Sequence, residues 1–398
     1  MAEAWGILVP SDIPSARRLQ SLGLTRAIRR FNEKAVPGMG GLWFAMPLIW
    51  SMLGIAVAQR LDRRPIEVAN AVEALAMKQA LNDGEGEAHP RVRGRRNLAR
   101  VGWTFEALRK PGAYVTQPFR QTCTQPLVTL GLVKGTSARF NSFHLSQDGE
   151  RLLAPLAAIQ SEIEKWAEGG KRVDWEKVSK IRPTAGLPKP VRAELMRRIY
   201  GGGPEADRRK SIRDIGKKLT SDGILADSPK GLSGDHLLDL RGGIATVRLR
   251  SAALQVLGAV EGRIAKRRDD GLTPVLTLVE ASEDDDIRTW IDACVDEAKR
   301  AAPHIKASRE KESRAFLRDC QSADGLLQRL ARRDGVVIVL RDGDLAPGPA
   351  FGAGAADDDD GAAQLSGVPE LPRIANLLAL TEDLSAPRTR ADCASVSR

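Results

Sequence analysis

The alternation of apolar and polar positions divides the chain before any motif is considered. From Leu42 to Ala58 no residue is charged. A helix of that length spans about 25 Å, at the short limit for a bilayer core of about 30 Å. Pro47, Ser51 and Gly54 interrupt it. Cations flank it on both sides, with Arg26, Arg29, Arg30 and Lys34 before and Arg60, Arg63 and Arg64 after, so it carries no orientation signal. The next segment decides the reading. Pro65 opens "PIEVANAVEALAMKQAL" where a first-turn proline is accepted, and Val68, Val72, Leu75 and Ala76 recur at i, i+4, i+7 and i+8. That apolar face needs a partner, and the uncharged helix before it is the nearest. A helix hydrophobic all round is then the centre of a helical core rather than a membrane span.

The same reading extends along the chain. A basic amphipathic helix is expected near 14–34. "NDGEGEAHPRVRGRR" (82–96) is a loop by its Gly, Pro and charge content. "TFEALRKPG" is a short helix stopped by Pro111 and Gly112. A second helix follows, with Thr116 as N-cap, Pro118 in its first turn and Gly131 as its stop. Pro126 lies inside it and would cost about 3 kcal/mol in a regular helix, which predicts a later start or a kink. "LVKGTSARFNSFHL" reads as two short strands around a polar tip, with Phe140, Ser142 and His144 alternating with Asn141, Phe143 and Leu145. Ser146 then caps a long helix, "SQDGERLLAPLAAIQSEIEKW".

Residues 186–345 are mostly helical. Their longest helix carries Val247, Leu254, Leu257, Val260 and Ile264 near helical spacing. "EDDD" (283–286) reads as an acidic helix N-terminus. "GVVIVLR" (335–341) is a buried-type strand, paired in this reading with "TPVLTLV" (273–279). Residues 342–372 form a disordered acidic linker, and "PRIANLLALTEDL" is a short docking helix. The fold class expected is mainly α. It comprises a helical domain (1–88), a domain of helices with a small β-hairpin (97–168), a mostly helical domain with one or two short strands (186–345), and a flexible acidic tail (346–398).

The domain at 97–168 has a telling order of elements. Helix, helix, "LGLV", hairpin, "LSQDGERLL", helix resembles the winged-helix superfamily, many bacterial members of which carry a similar run after the recognition helix. The resemblance covers about a sixth of the chain and names no particular family. It implies a helix that enters the DNA major groove and a wing that approaches phosphates or the minor groove. Pro126, inside the recognition helix, departs from the pattern.

Charge sharpens this picture. The net charge is +10, which suits a polyanionic partner, although a generally basic protein with no such partner has the same composition. Arg91, Arg93, Arg95 and Arg96 make the densest cationic run of the first half. Gln117, Arg120, Gln121 and Thr124 lie in or just before the recognition helix, where Gln and Arg read adenine and guanine edges. Lys134 and Arg139 sit at the wing. Arg209, Arg213 and Lys217 are spaced by four on one expected helix face, as phosphate contacts or as a solvated surface.

Other chemistries lack their residues. The four cysteines and four histidines are scattered, without the paired spacing of a zinc site. Unpaired cysteines with no apolar leader point to a reducing cytoplasm. "GGGP" before the 204–218 segment lacks the lysine and the strand of a phosphate-binding loop, so no nucleotide and no cofactor are expected. No nucleophile setting appears. The reading is a cytoplasmic, non-catalytic DNA-binding or adaptor subunit of a bacterial multi-protein complex. Its partners would be double-stranded DNA and other subunits. Antiviral (phage) defence or a mobile element is the architectural analogy. The alternatives are a scaffold whose winged helix docks proteins, a transcription regulator and, more remotely, a nuclease.

Overall fold

The computed structural model describes residues 20–84, 89–170, 173–352 and 367–385. The acidic run Asp357–Asp360, the chain beyond Ser385 and the first part of the helix expected near 14–34 lie outside them. Among the described residues the structure is mainly helical, with two small two-stranded antiparallel sheets. The elements run α1 (Thr25–Ala35), α2 (Met46–Arg60), α3 (Pro65–Asn82), the single turns α4 (Arg95–Leu98) and α5 (Phe105–Leu108), α6 (Arg120–Thr129), β1 (Val133–Gly135), β2 (Phe143–Leu145), α7 (Gln147–Leu153) and α8 (Ala157–Ala167). There follow α9 (Trp175–Val178), α10 (Lys189–Tyr200), α11 (Pro204–Ile215), α12 (Ser221–Ala226), α13 (Gly234–Asp269), α14 (Leu278–Glu283), α15 (Asp285–Ala307), α16 (Lys311–Cys320), α17 (Leu326–Asp334), β3 (Ile338–Arg341), β4 (Asp344–Pro347) and α18 (Pro372–Ser385).

These elements form two compact units. One comprises residues 1–31 and 237–360, the other 32–236 and 361–398. The division differs from the segments expected from sequence, because 1–88 and 97–168 are not separate bodies. Every residue of α2 from Met46 to Ala58 is buried. The helix packs on α3, α6, β2, α7 and α8, so the uncharged segment is the centre around which these elements assemble. Among the described residues no helix is long and apolar enough to cross a membrane. At the crossing of α2 with α3, a β-carbon on Gly54 would lie 2.5 Å from the Ala69 backbone. Only a glycine permits that approach.

α3 buries more than its apolar face. Val68, Val72, Leu75 and Ala76 are in the core as expected, but Asn70, Glu73, Lys78 and Gln79 are buried too. Lys78 donates to the carbonyls of Leu98 and Val101, 2.6 Å each. Glu73 accepts from the Tyr114 hydroxyl and from the backbone N–H groups of Phe119 and Arg120. Burial pushes its carboxyl upward, and the Tyr114 bond, the two N–H groups and the Arg120 charge oppose that shift. The carboxylate thus caps α6 from a neighbouring helix, satisfying donors that a helix N-terminus leaves open.

α6 therefore starts at Arg120, not at Thr116, and it continues through Pro126. The segment "PGMGG" lies against it, with Gly40 beside the Thr122 carbonyl that Pro126 leaves without its helical donor. Gly131 ends the helix at φ +68°. β1 pairs with β2 as Val133↔Leu145, Lys134↔His144 and Gly135↔Phe143. The second strand is shorter than its alternation suggested, because Phe140–Ser142 forms a 3-10 turn that buries Phe140 as well as Phe143. Ser146 caps α7 through the Gly149 N–H, 3.0 Å, and a side chain at Gly149 would collide with the Leu132 carbonyl. Pro155 splits the expected long helix into α7, a 3-10 turn and α8.

The other unit buries one face of α13 (Leu249, Ala253, Val256, Leu257, Val260, Ile264) against α15, α16 and α17. β3 pairs with β4 rather than with 273–279, which supplies a single bridge from Leu276 to Leu345 of β4. Residues 344–352 thus belong to the fold and not to a linker. α18 forms as expected and packs on α10 and α11 through Ile374, Leu377, Leu378 and Leu384.

Glu73→Ala is expected to leave three buried donors without an acceptor, at about 1–3 kcal/mol each. Urea unfolding should show the midpoint falling sharply, and Glu73→Gln should recover part of the loss because its carbonyl still accepts. An unchanged midpoint for Glu73→Ala would contradict the capping role.

Candidate nucleic-acid interface

The hairpin is held rigidly while its tip is left to solvent. Residues 134–139 are all exposed, including Lys134 and Arg139. Ser137 and Ser142 share a hydroxyl hydrogen bond of 3.0 Å across the tip. The Asn141 carboxamide oxygen accepts from the Ile66 N–H, 3.0 Å, at the start of α3. Arg198 braces the other end. It donates to the Leu130 carbonyl at 2.8 Å and pairs with Asp148 at 3.0 Å and Glu194 at 2.6 Å, linking the end of α6 to α7 and α10. Hydrogen bonds from Arg197 and then Arg198 hold the Glu194 carboxyl down at about 2, against some desolvation.

On α6, Gln121, Thr124, Gln125 and Val128 recur at i, i+3, i+4 and i+7. Gln121 and Gln125 are exposed, Thr124 is half-buried and Val128 is 51 % exposed. Gln125 donates to Glu33, 2.6 Å. Gln117 is exposed but precedes the helix. Arg95 and Arg96 are exposed and begin the single turn α4 rather than sitting in an irregular loop.

The remaining cations singled out in the sequence have structural partners. Arg91 is buried, 4.6 Å above the Phe44 ring, and pairs with Asp383 of α18 at 2.8 Å. Arg93 stacks 4.0 Å over Phe119. Arg120 does not reach outward. Its Nε donates to Asn70 at 2.6 Å and burial lowers its guanidinium below the ordinary value. Arg209 is buried and donates to the carbonyls of Ile199 and Pro37, 2.7 Å each. Arg213 binds Asp214 through two nitrogens and lies 4.4 Å over Tyr200. Lys217 pairs with Glu382 at 2.8 Å. It also lies beyond α11, which ends at Ile215, so the face expected to hold Arg209, Arg213 and Lys217 together does not exist.

Sequence reading missed Asn70, Glu73, Tyr114, Glu194, Arg198 and Asp383. One signal was available for the first two: Asn70 and Glu73 stand one turn apart in the otherwise apolar run from Val68 to Met77. Nothing local marked the others. Among the described residues no group of His, Cys, Asp or Glu is arranged to hold a metal ion. No family model matches the chain, and neither a curated protein nor a solved structure matches it.

Arg91→Ala and Arg209→Ala should each destabilise the fold by about 3–5 kcal/mol, because each removes one partner of a buried set. Chemical denaturation measures this, and a change within experimental error for both would return these arginines to the surface. The Glu194 shift has a defined sign. Its folded value lies below the ordinary 4.5, so its stabilisation is complete above that value and is lost as pH falls toward about 2. Melting temperatures of Glu194→Gln and the parent protein should therefore converge across that window.

Proposed function

We propose that the hairpin module of residues 32–168 is a winged-helix-type DNA-binding module in a non-catalytic protein, with the tip between β1 and β2 as its phosphate-contacting wing. The observation that carries this reading is the tip itself. It is a braced run of six exposed residues bearing Lys134, Thr136, Ser137 and Arg139, on a protein of net charge +10. Rigid presentation of cations and hydroxyls suits contacts to phosphate oxygens, which position a protein without reading sequence. Gln117, Gln121 and Thr124 are the polar groups left for base edges, and Arg95 and Arg96 are additional backbone contacts. With Arg120 tied to Asn70, the helix retains no outward arginine, so the reading is of weakly sequence-specific duplex binding.

A second reading draws on a different observation. The outer stripe of α6 is uncharged and exposes Val128, which suits docking against another subunit as an adaptor.

The two are separated by salt-dependent binding to a short duplex. Lys134→Ala and Arg139→Ala should each reduce the slope of log K against log salt by about one. Arg120→Ala should alter stability without changing any preference between a selected and a scrambled duplex. Binding that is absent, or that keeps its slope in both tip variants, would favour the adaptor reading, in which Val128→Asp abolishes subunit capture.

A further inference from the structure

Large apolar side chains are exposed at five positions among the described residues. Three of them, Leu272, Val279 and Trp290, fall within one short stretch and are 55, 64 and 41 % exposed. The stretch includes α14 and the first turns of α15, which pack against each other with Ala281, Ile287 and Ile291 beneath. A capping box between Thr277 and Glu280 fixes the start of α14, and Asp284 caps α15 through the N–H groups of Asp286 and Ile287. The backbone that presents Val279 and Trp290 is thus well determined, while their side chains face solvent.

The charge around them opposes that of the rest of the protein. From Asp269 to Asp292 the chain carries eight carboxylates and one cation, Arg288, against a net charge of +10 overall. Arg263, Arg267 and Arg288 pair with Asp284, Glu280 and Asp285. Glu283 and Asp286 are exposed and have no ion-pair partner among the described residues. Asp286 precedes Trp290 by one turn on the same side of α15.

We propose that the outer face of α14 and the first turns of α15 form a docking surface for an arginine-bearing segment of a partner protein. Trp290 is its anchor, and Glu283 and Asp286 are the carboxylates that meet the guanidinium groups. Tryptophan is among the residue types enriched at the energetic centre of protein interfaces, and Trp290 keeps 41 % of its surface in solvent. A guanidinium can lie on the indole face and still pair with a carboxylate through its edge, which an ammonium does less well. A polyanion is repelled here, so this face is distinct from the proposed wing. The inference does not rest on the DNA reading, since no residue of the hairpin module takes part.

The test uses the full chain and a labelled helical peptide with arginines one turn apart and leucines between them, followed by fluorescence anisotropy. The arginine peptide should bind, a lysine counterpart about tenfold more weakly, and a glutamate counterpart not at all. Trp290→Ala and the double change Glu283→Gln with Asp286→Asn should each weaken binding about tenfold while the melting temperature stays unchanged. Asp292→Asn, two residues from Trp290 and so on the opposite side of the helix, should behave as the parent protein. Failure of the arginine peptide to bind, or binding by the Trp290 and carboxylate variants as tight as by the parent protein, overturns the proposal. So does sedimentation showing that Trp290→Ala dissolves a self-associated species, which would assign this face to a second copy of the chain.

Discussion

A single carboxylate, buried among helices, sets where the hairpin module begins. α6 has no serine, threonine or aspartate at its N-cap position, which is held by Phe119. Its first N–H groups would be orphaned in the core without Glu73, which reaches them from α3 and also takes the Tyr114 hydroxyl. Burying that charge is costly, and the cost is tolerated because three donors and the nearby Arg120 guanidinium converge on it. From there the geometry propagates. A fixed start for α6 fixes its end at Gly131, and Arg198 holds that end to α7 and α10. The hairpin between them inherits its position.

The arginines divide into two populations that composition does not separate. Arg91, Arg198 and Arg209 act as struts, each donating to carbonyls or carboxylates from different segments. A guanidinium is suited to this because its planar fork can serve several acceptors at once and its stem packs like an apolar chain. Lys134, Arg139 and Arg96 remain outward. Part of the basic surplus is therefore consumed in building the protein, whereas the hairpin tip keeps its two cations in solvent.

Where periodicity was strong, the sequence was legible. The uncharged helix, its amphipathic neighbour, the Ser146 cap and the acidic start of α15 all appear where their patterns predict them. Local rules failed where a distant residue decided the outcome. Thr116 does not cap α6, which starts later, at Arg120, where Glu73 of α3 takes its first N–H groups, and Pro126 is accommodated inside it. The strand at 338–341 chose β4, within reach of a tight turn, over the more apolar 273–279. Of the candidate site, the hairpin tip was readable from its polar run between two apolar strands. The fates of Arg91, Arg120 and Arg209 were not, since a buried and an exposed arginine look alike until their partners, Asp383, Asn70 and the Pro37 carbonyl, are known.

The ion pair between Arg91 and Asp383 has a consequence for the order of events during synthesis. Asp383 also accepts from the Ala45 N–H at the entrance to α2. The entrance to the central helix of the hairpin unit is thus tied to a segment translated long after it. The intervening residues 237–360 belong to the other unit and leave the ribosome first. Until α18 arrives, Arg91 lacks its counter-charge and the apolar ground beneath α18 has no cover. A nascent chain spends that interval with the faces of α10 and α11 that meet α18 uncovered, and a ribosome that stalls before Asp383 releases a product exposed to aggregation and proteolysis.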